Sequence, residues 1–153
     1  MIKPQQLLSR LRPSGRRRKL LCKGEIQSQL QAIHRITGDI LQEAETVGFK
    51  EEAVKDLRVA LDEALANAVI HGNSNVPDRR VKVRCYLHGD DLLEIRIRDQ
   101  GTGFRTSFVP DPTVPENLLR THGRGIFLIS HYMDRIEFNR RGNEIRMWKR
   151  KKK

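Results

Sequence analysis

Glu63 and Asn67 stand four residues apart in KEEAVKDLRVALDEALANAVIHGN, residues 50–73. On a helix this spacing stacks a carboxylate and an amide on one flank. Ala60, Ala64 and Ala66 keep the surroundings slim. Such a pair can serve a water, a hydroxyl or a metal ion, although alone it also fits a solvated surface. Downstream, Asp99-Gln100-Gly101-Thr102-Gly103 follows a strand pattern. Its glycines let the backbone turn sharply and approach a ligand where a Cβ would collide. Asp99 can accept a hydrogen bond from an exocyclic amine. Gly123-Arg124-Gly125 then opens a helical pattern. A helix start with bare N–H groups is an anion site suited to phosphate. Singly, each glycine turn is most often only a turn. Neither the G-x-G-x-x-G dinucleotide fingerprint nor a Walker A loop is present.

The elements that must position these residues are legible from periodicity. In residues 50–73, Val54, Leu57, Leu61, Ala64, Leu65 and Ala68 form the apolar stripe of one long helix, with Gly72 as its C′ residue. Residues 25–47 read as a second amphipathic helix, carrying Ile26, Leu30, Ile33, Ile36, Ile40, Leu41 and Ala44 and closed by Gly48. Its apolar face could line the core or serve a homodimer. Residues 19–23 read as a short edge strand closed by Gly24. Residues 80–88 alternate, with Val81, Val83, Cys85 and Leu87 inward and Lys82, Arg84, Tyr86 and His88 outward. Residues 92–99 supply a partner strand through Leu93, Ile95 and Ile97. Residues 105–121 contain Pro110, Pro112 and Pro115 without a period, and so long an irregular segment suggests function. A short helix at 126–133 and a hairpin of 135–139 with 144–149 complete the chain. Helices covering one face of a mixed, mainly antiparallel sheet make a two-layer α+β sandwich.

The chain has 153 residues and a formal net charge of +11, placed unevenly. Residues 1–24 hold eight Lys/Arg and no Asp/Glu, and residues 140–153 hold eight against one. The remainder is 14 basic against 18 acidic, so an acidic domain carries basic ends. This suggests a flexible basic arm at 1–18, one domain at 19–149 and a basic tail at 150–153. Basic ends attract nucleic acid, anionic lipid or acidic partners, or simply solubilise. No aromatic interleaving or reading motif supports nucleic acid as the main partner. Cys22 and Cys85 lie far apart in sequence, which suits a reduced cytoplasmic protein without a cysteine metal site. No apolar run approaches the ~20 residues of a membrane span.

Taken in order, Glu63-x-x-x-Asn67, Asp99-x-Gly101-x-Gly103 and Gly123-x-Gly125 resemble the nucleotide-binding boxes of the Bergerat-fold, histidine kinase-like ATPases. The wording NAVIHGN and GRGIFLI followed by Met133-Asp134 is similar to the anti-sigma factor serine/threonine kinases. The resemblance covers about residues 20–149. It implies ATP and Mg²⁺, with Asn67 coordinating the metal and Glu63 acting as general base. It implies Asp99 on the adenine amine, Gly101 and Gly103 making room for the base, and amides near Gly123, Arg124 and Gly125 cradling phosphates. Residues 105–121 would be the lid. The implied partners are a small antagonist protein phosphorylated on Ser or Thr, and a sigma factor or similar regulator. A nucleotide-dependent switch without transfer is the alternative. A sensor histidine kinase fits poorly, because His34 is followed by Arg35 and only one helix precedes the Glu63 helix. His71 reads as a helix-end residue, His122 as lid packing, and Tyr86 and Trp148 as sheet-face packing or a partner contact.

Overall fold

Strand alternation and helical stripes meet in one core between a sheet and a helix layer. The computed structural model describes residues 15–103 and 121–152, with side chains from Gly125 onward in the second stretch. The order is β1 (Arg18–Gln27), a 3₁₀ turn (Leu30–Ala32), α1 (Ile33–Thr46), α2 (Glu51–Asn67), a π turn (Ala68–Gly72), β2 (Arg80–His88), β3 (Leu92–Arg98), α3 (Thr121–Tyr132), β4 (Arg135–Phe138) and β5 (Glu144–Arg150). The sheet runs β1-β2-β3-β5-β4, and every pairing among the described strands is antiparallel.

The apolar stripe of α2 is buried as its spacing requires. Leu57, Leu61 and Leu65 are sealed from solvent and lie in one cluster with Val83, Ile95, Ile97 and Met147. Each such side chain contributes roughly 1.5–3 kcal/mol on burial. The apolar face of α1 is core as well, through Ile33, Ile36, Ile40 and Leu41, so it is not left open for a second copy. Thr37 Oγ1 donates to Asp62 Oδ1 at 3.1 Å and pins α1 to α2. Lys149 is buried on the helix side of β5, where its Nζ donates to Asp56 Oδ2 at 2.9 Å and to the Tyr132 carbonyl at 2.6 Å.

Several boundaries differ from the periodicity reading. Residues 25–27 belong to β1, not to α1. Ile26 faces Val81 in the strand register, and a Cβ on Gly24 would reach Ile36 Cδ1 at 2.5 Å. Gly24 thus lets the strand pass under α1 instead of ending it. Ile26 falls at helical spacing with Leu30 and Ile33, but the free edge of β2 draws it into the strand, and Leu30 is left exposed. Gly48 does cap α1, with φ +96°. Its N–H donates to the Glu45 carbonyl and that of Phe49 to Ala44, a Schellman arrangement.

Tyr86 and His88 point away from the helices yet are buried. The Arg18 guanidinium lies 4.4 Å from the Tyr86 ring centre, and His88 bonds Glu94. Trp148 lies under the Arg135 guanidinium, so both aromatics pack on the sheet face as expected. Part of the basic tail is ordered. Lys151 Nζ donates to the Val47 carbonyl at 2.5 Å, and its backbone N–H donates to Asp91. Residues 1–14, the greater part of the expected arm, and 104–120, nearly all of the expected lid, lie outside the described residues, as does Lys153.

Candidate nucleotide site

The site forms where α2 ends, β3 ends and α3 begins. Glu63 and Asn67 occupy the last α-helical turns of α2, both half-buried. Directly after Asn67 the helix widens into the π turn, where the Asn73 N–H reaches the Ala68 carbonyl at 2.8 Å. Such widened turns recur at functional positions. Across from them lies α3. A methyl group added at Gly125 would sit 3.0 Å from Asn67 Nδ2, 3.2 Å from Glu63 Oε2 and 3.3 Å from Asn67 Oδ1. The bare Gly125 backbone therefore lies directly against both polar side chains.

Asp99 lies beyond β3 on the same side. Its Oδ1 accepts the Gly101 N–H at 2.7 Å, and its own N–H donates to the Asn143 carbonyl. A Cβ on Gly72 would overlap the Asp99 carboxylate, and one on Gly101 would overlap the Gly72 carbonyl. Gly72 is thus needed for close approach rather than as a left-handed cap; its φ is not positive. Burial pushes the Asp99 carboxyl above its usual range, against the Gly101 N–H and the charges of Arg79 and Arg98. Gly103 does adopt a positive φ, +80°, and its Cα lies against the Arg141 carbonyl at the β4–β5 turn.

One organising residue escaped the sequence reading. Asn73 is fully buried. Its Nδ2 donates to Ser28 Oγ at 2.6 Å and to the Arg80 carbonyl at 2.9 Å, and its Oδ1 accepts the Gln100 N–H at 2.8 Å. It ties the exit of β1 and the start of β2 to the Asp99 turn. Its signal was the Gly72-Asn73 step closing the helix, which reads equally well as an ordinary turn. Gly123 and Arg124 lie in the first turn of α3, which starts five residues earlier than periodicity indicates. Only the first four N–H groups of a helix lack intrahelical partners. Gly123 and Arg124 therefore keep bare amides, while Gly125 acts through its missing side chain. The side chains of His122 and Arg124 lie outside the described residues. His71 is exposed in the π turn, as a helix-end residue would be. Cys22 and Cys85, distant in sequence, are directly opposed across β1 and β2.

The family model for the histidine kinase-like ATPase domain matches residues 26–149. The chain belongs to this family. Among similar proteins, the serine-protein kinase RsbW of Listeria monocytogenes is 36% identical over 100 residues, covering 61% of this chain and 63% of its own length. RsbW of Oceanobacillus iheyensis is 32% identical over 102 residues, covering 63% and 64%. The anti-sigma F factor of the same organism is 34% identical over 89 residues, covering 56% and 60%. The matched region thus spans less than two thirds of these relatives. A crystal structure of the RsbU and RsbW domains of a Mycobacterium tuberculosis protein shares the fold, with TM-score 0.58 and 13% identity, covering 86% of this chain and 32% of that one.

Gly101 packs its backbone against the Gly72 carbonyl and Gly125 against Glu63 and Asn67, with little or no room for a Cβ, and Asp99 offers a half-buried carboxylate beside the first. Among the described residues no cluster of three His, Cys, Asp or Glu could hold a metal alone. A single amide ligand suits Mg²⁺, which commonly takes one or two protein oxygens and completes its shell with phosphates and water. No described helix is long and apolar enough to cross a membrane.

Proposed function

We propose that this chain is an ATP- and Mg²⁺-dependent serine/threonine protein kinase of the anti-sigma type, acting in the cytoplasm. Its substrate is a Ser or Thr hydroxyl on a small antagonist protein, and its second partner is a sigma factor or similar regulator. The observation that carries the reading is the Gly125 backbone seated against both Glu63 and Asn67. It supports a site in which a phosphate-type helix start, a carboxylate and an amide meet, the parts that phosphoryl transfer requires. Similarity to proteins named serine-protein kinase and anti-sigma factor supports it.

In this mechanism Asp99 accepts the adenine amine, and Gly101 with Gly103 leaves room for the base. The amides of Gly123 and Arg124 hold the phosphates, the bare Gly125 lets the helix start lie close to Glu63 and Asn67, and Arg124 adds a charge. Asn67 would hold Mg²⁺, which neutralises phosphate charge when bound. Glu63 takes the proton of the partner's hydroxyl as its oxygen bonds the γ-phosphorus, and ADP departs. A positioned general base is worth roughly 10²–10⁴ in rate. Incubation with γ-labelled ATP and the genomic-neighbour antagonist tests the assignment. Glu63→Ala should bind ATP and transfer no label, whereas Asn67→Ala should also lose Mg-ATP affinity. Unimpaired transfer by Glu63→Ala would remove the base role. Binding without transfer by the native chain would instead identify a nucleotide switch.

A further inference from the structure

β1 is an edge strand, and its pairing with β2 is interrupted at one point. Leu20 faces Tyr86 but Cys22 faces Cys85, so Leu21 is the extra residue of a β-bulge. Without the bulge, the register of Arg18–Leu20 would set Leu21 opposite Cys85. Cys22 would then stand opposite Arg84 on the other face, because a one-residue slip turns every side chain over. The bulge therefore brings the chain's two cysteines together. Cys85 is sealed in the core, and Cys22 packs against that core while remaining half-exposed at the sheet's edge. Directly opposed antiparallel residues stand about 4.5–5.5 Å apart at Cα. That lies within the roughly 4.4–6.8 Å a disulfide spans.

We propose that Cys22 and Cys85 are a peroxide-oxidised dithiol that closes to a reversible disulfide fastening β1 to β2. Cys22, reached from the edge, is the attacking thiol, and Cys85 resolves. The Cys22 thiolate attacks one oxygen of a hydroperoxide and the O–O bond breaks. The other oxygen takes up a proton and leaves as water or alcohol, and Cys22 becomes a sulfenic acid. The Cys85 sulfur then bonds the Cys22 sulfur, and the departing hydroxide takes the Cys85 proton as water. The thiols together lose two electrons and the peroxide gains them. A hydrogen bond from Cys85 holds the Cys22 thiol below its usual range, against burial and the carboxylates of Glu43 and Asp39 on α1. This favours the thiolate, the reactive form, at the exposed member of the pair. The chain has no third cysteine to compete. A bond made and broken in this way suits a reducing compartment, where disulfides are transient.

The test is hydrogen peroxide added to the reduced full chain, followed by alkylation of remaining thiols and intact mass. The product should be lighter by two hydrogens, unalkylated and monomeric, with one linked peptide pair holding Cys22 and Cys85. Dithiothreitol should restore both thiols. The disulfide closes a loop of about 60 residues, so the oxidised chain should melt higher by roughly 5–15 °C. Cys85→Ala should stop at a sulfenic acid on Cys22 that dimedone captures, and Cys22→Ala should leave Cys85 unreacted. A native chain that gains oxygen instead of losing hydrogens, a bond formed only between chains, or a disulfide form that melts below the reduced one would overturn the proposal.

Discussion

Gly125→Ala separates site geometry from stability. The new methyl would lie 3.0 Å from Asn67 Nδ2 and 3.2 Å from Glu63 Oε2, a few tenths of an ångström inside comfortable contact. Both side chains are half-buried and can yield by that much. Alanine inside a helix gains about 0.5–1 kcal/mol over glycine, which offsets the crowding. Unfolding free energy should therefore change by less than about 1 kcal/mol in urea titration. The displaced carboxylate and amide, however, no longer meet the phosphates and hydroxyl correctly. Misplacement by 1 Å can cost about 10²-fold, so a shift of a few tenths should cost roughly tenfold in transfer rate. Label transfer measured alongside urea denaturation reads both quantities on one preparation. Native transfer and ATP affinity in the alanine variant would refute the placement of α3 over Glu63 and Asn67. A loss of several kcal/mol in stability would refute the claim that the glycine serves the site.

Asp56→Ala leaves Lys149 buried without its carboxylate and should lower stability by roughly 2–4 kcal/mol by urea denaturation, whereas Lys149→Met should cost less than about 1.5 kcal/mol. Burial raises the Asp99 carboxyl, so on acidification it protonates earlier than an ordinary aspartate. ATP affinity should accordingly fall as pH drops through a window just above the usual carboxylate range, and Asp99→Ala should abolish that dependence. The same sign means that ionising Asp99 costs the folded state stability as pH rises through its raised value; Asp99→Asn should therefore melt no lower than the native chain at pH 7. Cys22 is half-exposed, and a hydrogen bond from Cys85 holds its thiol below the usual range, while that bond and burial push the Cys85 thiol up. A thiol reagent followed by mass spectrometry should label Cys22 well before Cys85; equal rates would count against the β1–β2 register.

The sequence was most legible where one periodicity had no competitor. Residues 80–88 alternate strictly and form β2 over the same span, and the stripe from Val54 to Ala68 is buried throughout. It was least legible at Ile26, which extends the helical spacing of Leu30 and Ile33 yet pairs with β2, a tertiary preference. The start of α3 was obscured similarly: Gly123 and Gly125 have poor helix propensity, yet packing against α2 favours the helix. In the site, Glu63, Asn67, Asp99 and the paired glycines could be named from spacing and resemblance. Gly72 and Asn73 could not, since a Gly-Asn step after a helix is ordinary turn chemistry. Their roles depend on Asp99, 27 positions beyond Gly72, folding back onto that step. The opposed Cys22 and Cys85 likewise follow from strand order, which no single stretch encodes.

The account rests on Asp99 and the glycine turn that follows it forming an adenine-specific site. The measurement that reaches this most directly is parallel titration of ATP and GTP, with Mg²⁺, into the native chain and Asp99→Asn. The native chain should bind ATP and discriminate against GTP, whose ring presents a carbonyl where adenine presents an amine. Asp99→Asn should remain folded and lose ATP affinity by at least about tenfold, the scale of one hydrogen bond to a charged group. Equal binding of the two nucleotides by the native chain, or undiminished ATP affinity in Asp99→Asn, would contradict it.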